Sequence, residues 1–171
     1  MEIGTALFLG FIVLQRLGEL ALARRNTARL LARGAHEVGR EHYPVMVLMH
    51  AAWLLCLVVF GHDRSLSYGW LCIFAILQAL RVWILASLGA RWTTRIIVIE
   101  EPLVERGPFR YVSHPNYMLV VAEIIAAPMV LGLSWVAALF TLLNAAMLTW
   151  RIGVENRALA PLRKGATSPG R

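Results

Sequence analysis

The sequence predicts an all-α integral membrane protein: about five transmembrane helices, a cytosolic polar loop and a C-terminal helical hairpin. Three observations carry that expectation. The 171 residues are 58% hydrophobic and only 16% charged, with positive mean hydropathy. A water-soluble domain of this length needs far more polar surface. The apolar residues gather into five runs, and the basic residues gather into every second connection between them.

The runs are Ile3–Ala23, Tyr43–Phe60, Tyr68–Leu88, Tyr117–Leu131 and Ser134–Arg151. The first three have the roughly 20 residues that a bilayer crossing needs. Gln15, Arg16 and Glu19 interrupt the first, which lacks a basic leader and a small-residue cleavage site, so it reads as a retained span. The last two are shorter and only Gly132-Leu133 separates them, which predicts a tight hairpin whose first arm is bent by Pro128. Such a hairpin is either tilted or sheltered by the other helices.

Connection 24–40 carries five arginines, segment 89–115 carries four, and the stretch from Arg151 onward carries four arginines and Lys164; these are 14 of the 17 Lys and Arg residues. Five alternating crossings place all three on one side. The positive-inside rule makes that side the cytosol, with the N-terminus outside and the C-terminus inside. Within 89–115, the β-branched stretch Thr93–Ile99 followed by Glu100-Glu101-Pro102 is compatible with a short amphipathic hairpin at the membrane surface or with an irregular loop. Residues 1–160 read as one membrane-embedded domain. Residues 161–171, rich in Pro, Gly, Ser and basic residues, read as a disordered tail.

Composition also excludes classes. The net charge of +7 is spread through the gaps between apolar runs and not over one polar module with stacking aromatics, which argues against nucleic acid and for the lipid bilayer as partner. Cys56 and Cys72 each sit inside an apolar run, where they read as small buried residues. No CxxC, HExxH or clustered His/Cys spacing supports a metal site.

Ionisable groups at membrane depth cost about 2.5–3.5 kcal/mol each at a helix centre and less near its ends, so those that persist mark sites. Arg151 and Glu155 share a helix face at i, i+4, in the order less favourable for a simple ion pair. Asn144, seven residues before Arg151, extends that polar stripe. Some thirty residues upstream lies the turn Ser113-His114-Pro115-Asn116-Tyr117. Pro115 disfavours helix at His114 and suits a first helical turn, which would leave free backbone N–H groups near Asn116 able to bind a carboxylate. Glu123, two turns deeper, is expected to pair with Arg81 or Gln78 of the third run. Gln15, Arg16 and Glu19 are expected to hold helices together.

Four stretches in this order, Leu88-Gly89-Ala90-Arg91-Trp92-Thr93-Thr94, Gly107-Pro108-Phe109-Arg110-Tyr111, His114-Pro115-Asn116-Tyr117 and Arg151-Ile152 with Glu155, resemble the isoprenylcysteine carboxyl methyltransferase family, in particular its short bacterial branch. The resemblance covers roughly residues 80–160. It implies a membrane enzyme that transfers a methyl group from S-adenosyl-L-methionine to a lipophilic acceptor, in a bacterial inner membrane. It further implies cofactor contacts at Leu103, Val104, Phe109, His114, Pro115, Asn116, Tyr117 and Glu155, with Arg151 and Glu155 catalytic and Arg151 facing the acceptor. Ser113 replaces the family's Arg before His-Pro, Leu119 replaces a Gly, and Asn156 replaces the acid after Glu155. These departures weaken a prenylcysteine-like carboxylate as the expected acceptor, and the resemblance to bacterial relatives associated with polyketide-synthase lipids implies instead a hydroxylated lipid of the alkylpyrone or alkylresorcinol type. Two rival readings are a membrane NADPH-dependent reductase of the sterol-reductase type and a non-enzymatic helical scaffold.

Overall fold

The computed structural model describes residues 2–102 and 104–166, with side chains described through residue 160. Five helices form the fold: α1 (Ile3–Ala32), α2 (His42–Gly61), α3 (Tyr68–Leu88), α4 (Pro115–Val130) and α5 (Ser134–Ala166). Four of them are long and apolar enough to cross a membrane; α4, at 16 residues, falls short of that length. The chain is an all-α membrane protein. Its exposed large side chains, among them Leu7, Leu14, Leu48, Leu55, Ile76 and Leu142, are those of a lipid-facing belt.

Helix ends account for the differences from expectation. The apolar run of α1 stops at Ala23, but good helix formers continue, and the helix runs on to Ala32. Thirty residues at 1.5 Å each make about 45 Å, against a hydrocarbon core of about 30 Å, so the arginine-rich turns project beyond the lipid. The last helix is likewise not short. At 33 residues α5 is the longest in the fold, and it passes through Arg151 and Glu155 to Ala166, six residues into the stretch read as a disordered tail. The rest of that tail, 167–171, lies outside the described residues. Pro128 falls in the last turn of α4, where its carbonyl accepts from the Leu131 and Leu133 N–H groups and closes the tight turn into α5.

Segment 89–115 forms neither a local hairpin nor a wholly irregular loop. Ile96–Val98 (β2) pairs antiparallel with His36–Val38 (β1), which comes from the connection after α1, with His36 opposite Val98 and Val38 opposite Ile96. Ile96 and Val98 are buried. Each strand is three residues long and its partner is remote in sequence, so neither had a period to read. The pairing closes a roof over the polar end of the bundle, and side chains staple it down. Asn26, buried on α1, donates to the carbonyls of Trp92 at 2.9 Å and Gly89 at 3.3 Å. Arg95 donates to both carboxylate oxygens of Glu37, at 2.8 and 2.9 Å, and lies over the Tyr43 ring. Arg106 donates to the Ser87 carbonyl at 2.8 Å. Gly107 sits at φ 60°, and a Cβ there would meet the Ser87 hydroxyl at 2.1 Å, so only glycine lets this loop approach α3 so closely.

At the opposite end Phe8, Trp53, Leu57, Phe74, Leu131, Leu133 and Phe140 pack one core. Between core and roof lies a charged cluster. Glu123 accepts from Arg16 Nη2 at 2.5 Å, from Gln78 Nε2 at 3.2 Å, and from Arg81 through Nε at 2.7 Å and through Nη2. Arg16 also donates to Glu19 at 2.8 Å, and Gln15 to Gln78 at 2.6 Å. Two arginines therefore face two carboxylates, joining α1, α3 and α4. Glu123 pairs with both partners expected for it, and the polar residues of α1 do hold helices together.

Candidate active site

The α4–α5 hairpin brings the two separated polar motifs together beneath the roof. His114 has non-helical backbone angles, and α4 begins one residue later at Pro115. The turn therefore starts where proline cannot donate and the preceding residue cannot be helical. Tyr117, in the first turn of α4, donates its hydroxyl hydrogen to Glu155 Oε2 on α5 and accepts from Arg151 Nε at 2.8 Å. The ring of His114 stacks on that of Tyr117, with centroids 5.3 Å apart. His114 Nδ1 lies 4.0 Å from Glu155 Oε2, and Nε2 contacts Asn156 Oδ1 at 3.3 Å. Arg151 is 5% exposed and sends Nη1 to the sulfur of Met46 on α2 at 3.1 Å. Arg151 and Glu155 are thus linked through Tyr117 and not to each other. Their reversed order along the helix fits this arrangement.

Two cavities meet at these residues. The first, about 410 Å³, lies between roof and helix ends. Its wall is mixed: apolar side chains such as Leu30, Leu88, Ile97 and Leu159 alternate with groups of both charges, Arg91, Arg95, Glu101, Glu105 and Glu155, and with His114. Val104, Phe109, Asn116 and Tyr117 also line it. At its rim Glu101 accepts from Arg91 and from Arg33; the Arg91 hydrogen bond holds its carboxyl below the ordinary value. The second, about 310 Å³, is lined mostly by apolar side chains of α1, α2, α4 and α5, and reaches from Arg151 to Arg16 and Arg81. Trp92, Thr93, Asn116, Tyr117 and Arg151 line both. A compartment lined by charges of both signs and a mostly apolar one therefore share a wall that carries an arginine, a phenol and an amide. Volumes of this size suit small-molecule ligands.

Of the residues expected at a site, Arg151, Glu155, Val104, Phe109, His114, Asn116 and Tyr117 all line the first cavity. Pro115 is buried beside them at the head of α4 without lining it, and Leu103 lies outside the described residues. Sequence reasoning missed Arg95, Glu101 and Glu105 on the roof, and Met46 and His50 of α2 in the apolar cavity. It had marked Arg91, Trp92 and Thr93 within a motif without placing them in a site. For Met46 no signal existed, because an apolar side chain that faces a cavity looks like one that faces lipid; for His50 the signal was an imidazole inside an apolar run.

Residues 70–161 match the model of the isoprenylcysteine carboxyl methyltransferase (ICMT) family. The uncharacterized protein YpbQ of Bacillus subtilis is 37% identical over 159 residues, which cover 90% of this chain and 95% of that protein. An uncharacterized protein of Haemophilus influenzae is 26% identical over 156 residues, covering 86% and 90% respectively. No solved structure matches the chain.

Proposed function

The chain belongs to the isoprenylcysteine carboxyl methyltransferase family, and from that premise we propose that it is an S-adenosyl-L-methionine-dependent O-methyltransferase acting on a lipophilic acceptor. The acceptor we favour is the hydroxyl of an alkylpyrone- or alkylresorcinol-type lipid; a prenylcysteine-like carboxylate is the alternative. The observation that carries the reading is the common wall of Asn116, Tyr117 and Arg151 between a charged cavity and an apolar one. Methyl transfer to a lipid needs a water-soluble donor and a membrane-soluble acceptor brought to within contact distance where little water enters.

The donor set suits the cofactor. S-adenosyl-L-methionine supplies an electrophilic methyl group on a cationic sulfur. Glu155, Glu101 and Glu105 offer negative charge to cationic groups, Arg91 and Arg95 offer positive charge to a carboxylate, and Phe109 and Trp92 offer aromatic faces. Asn116 Oδ1 is buried with no partner among the described residues, so it keeps an acceptor for a ligand N–H or O–H.

Arg151 faces the apolar side and orients the acceptor oxygen, stabilising negative charge there. Tyr117 fixes both neighbours: with its hydroxyl hydrogen committed to Glu155, its oxygen is left to accept from Arg151 Nε. An acidic acceptor arrives already ionised. A phenolic one must lose a proton, and His114 Nδ1 and Glu155 Oε2 are the groups placed to receive it. We place the N-terminus outside and the C-terminus in the cytosol, a reading that the basic connections support, and the membrane as a bacterial inner membrane, which the family resemblance supports; the donor then enters from the cytosol and the acceptor laterally from lipid.

The test has two parts. Mass spectrometry of membrane lipids from strains with and without the gene should reveal a lipid heavier by one CH2 only in its presence. Arg151→Ala and Glu155→Ala should each abolish that product while the protein still inserts and purifies. Wild-type turnover in both variants sinks the site. Binding of NADPH in place of S-adenosylhomocysteine would favour the reductase reading.

A further inference from the structure

Two side chains lining the apolar cavity can take up a proton, Glu19 and His50. Glu19 is already held by Arg16 at 2.8 Å, by Gln15 at 3.0 Å and by Arg81 at 3.4 Å. His50 is not so engaged. Its Nδ1 lies 2.9 Å from the Met46 carbonyl, one turn back on α2. A carbonyl only accepts, so Nδ1 carries the hydrogen and the neutral ring keeps its lone pair on Nε2. Nε2 has no partner among the described residues, and it is not sealed in as both ring nitrogens of His42 are. Lipid offers it no hydrogen to accept. We infer that His50 Nε2 binds the hydroxyl of the acceptor and takes its proton during transfer. This rests on the methyltransferase reading and adds to it a base on the acceptor's side of the shared wall.

The placement supports it. With Nδ1 turned towards its own helix, the outer edge of the ring carries Nε2 away from that helix, and Met46, Val47, Trp53 and Leu54 of α2 line the same cavity. Met46 ties the ring to Arg151: its carbonyl holds His50, and its sulfur lies 3.1 Å from Arg151 Nη1. One helical turn is about 5.4 Å, so an acceptor oxygen held at Arg151 has a lone pair close by. His114 and Glu155 line only the charged cavity, and Glu155 Oε2 already accepts the Tyr117 hydroxyl hydrogen. They serve a proton that leaves on the donor's side; His50 serves one that leaves on the acceptor's.

The step balances. The hydroxyl O–H bond breaks and its proton goes to Nε2. The electron pair left on oxygen forms the new C–O bond, while the S–CH3 bond of the donor breaks and its pair stays on sulfur. Positive charge leaves the sulfonium and ends on the imidazolium, so the net charge of the site is unchanged. The cations that face the ring are already matched, Arg16 and Arg81 by Glu19 and Glu123, and Arg151 by the Tyr117 oxygen. The imidazolium returns its proton to water once the ether has left.

Binding is tested first, with pentadecyl phenol and its methyl ether, by calorimetry on the detergent-purified protein with S-adenosylhomocysteine present. The wild type should bind the phenol about tenfold more tightly, the worth of one good hydrogen bond. His50→Phe and His50→Leu should bind both probes equally. Equal wild-type affinities, no binding of either probe, a preference that survives in both variants, or failure of every His50 variant to purify would each overturn the inference. Transfer is scored next, with labelled S-adenosyl-L-methionine. His50→Gln should slow methylation of the phenol by at least about a hundredfold, as loss of a general base does. At about pH 9 the same variant should methylate a nitro-substituted pentadecyl phenol, ionised without help, within about threefold of wild type. Equal losses on both probes, or a phenol-specific loss in His114→Ala and not in His50→Gln, would reject His50 as the base. A His50-dependent preference in binding with no transfer to either phenol rejects the methyltransferase and leaves the hydroxyl site standing.

Discussion

Replacing Glu123 by Gln should destabilise the protein by about 3 kcal/mol. Glu123 is 1% exposed and receives four hydrogen bonds, two from Arg81, one from Arg16 and one from Gln78. Glutamine keeps the size but exchanges one accepting oxygen for an NH2 group, which then opposes a guanidinium donor. The cluster also changes from two positive and two negative charges to an excess of one positive charge, with Glu19 left to face both arginines. Hydrogen bonds to charged groups are worth about 1.5–3 kcal/mol each, and removing one partner of a buried pair costs about 3–5 kcal/mol. The lower end applies because Glu19 remains and because a membrane-embedded unfolded chain also finds partners. Three kcal/mol is roughly a hundredfold in the folding equilibrium.

The assay is reversible unfolding in mixed micelles of a mild detergent and dodecyl sulfate, followed by tryptophan fluorescence. A double replacement, Arg81→Met with Glu123→Met, should cost less than the sum of the two single replacements, because it removes a pair and not one of its members. If Glu123→Gln unfolds within about 0.5 kcal/mol of wild type, a size that surface substitutions reach, or the double variant costs the full sum, the cluster does not hold these helices together and the reasoning fails.

Two further outcomes follow from the polar end. Tyr117→Phe removes the hydroxyl that links Arg151 to Glu155, and should weaken S-adenosylhomocysteine binding by about tenfold, given the worth of a hydrogen bond to a charged group; an unchanged calorimetric affinity would show that the link does not shape the donor cavity. Arg91 donates to Glu101 and keeps its carboxyl below the ordinary value near 4.5, so the ionised form favours the folded roof above that pH, and the gain disappears as pH falls through the lowered value. Wild type should therefore melt higher than Glu101→Gln above about pH 5, and the two should converge in more acidic solution. A gap that does not change with pH would refute the assignment.

The features legible in the sequence were those in which lipid makes an error costly. Arg16, Glu19, Arg81 and Glu123 could not all sit in apolar runs without meeting, and they meet. The two-residue link at Gly132-Leu133 left α4 and α5 no choice but to lie side by side, which put Tyr117 against Arg151. Where water competes with the protein for polar groups, the sequence said less. Nothing in His36–Val38 marks it as a strand until Ile96–Val98 arrives from another connection to pair with it. The stretch after Ala23 carries Arg24, Arg25 and Arg29, which suit a loop as well as they suit a helix; it is helix to Ala32, and Asn26 within it donates to the Trp92 and Gly89 carbonyls. The apolar cavity left little trace in the sequence: Met46, Val47 and Leu148 look like any other lipid-facing residues, and only polar groups inside apolar runs, such as His50 and Asn144, mark its wall.

The strand pair fixes how this architecture can be cut or lengthened. Strand β1 lies outside residues 70–161, so a fragment confined to the family-matched stretch would lose half of its lid. Because successive side chains point to opposite faces, a single residue inserted into either strand would turn Ile96 and Val98 towards solvent or leave them opposite the wrong neighbours. Grafts and chimaeras of this scaffold must therefore exchange the connection between α1 and α2 together with the one between α3 and α4, as a single inherited part.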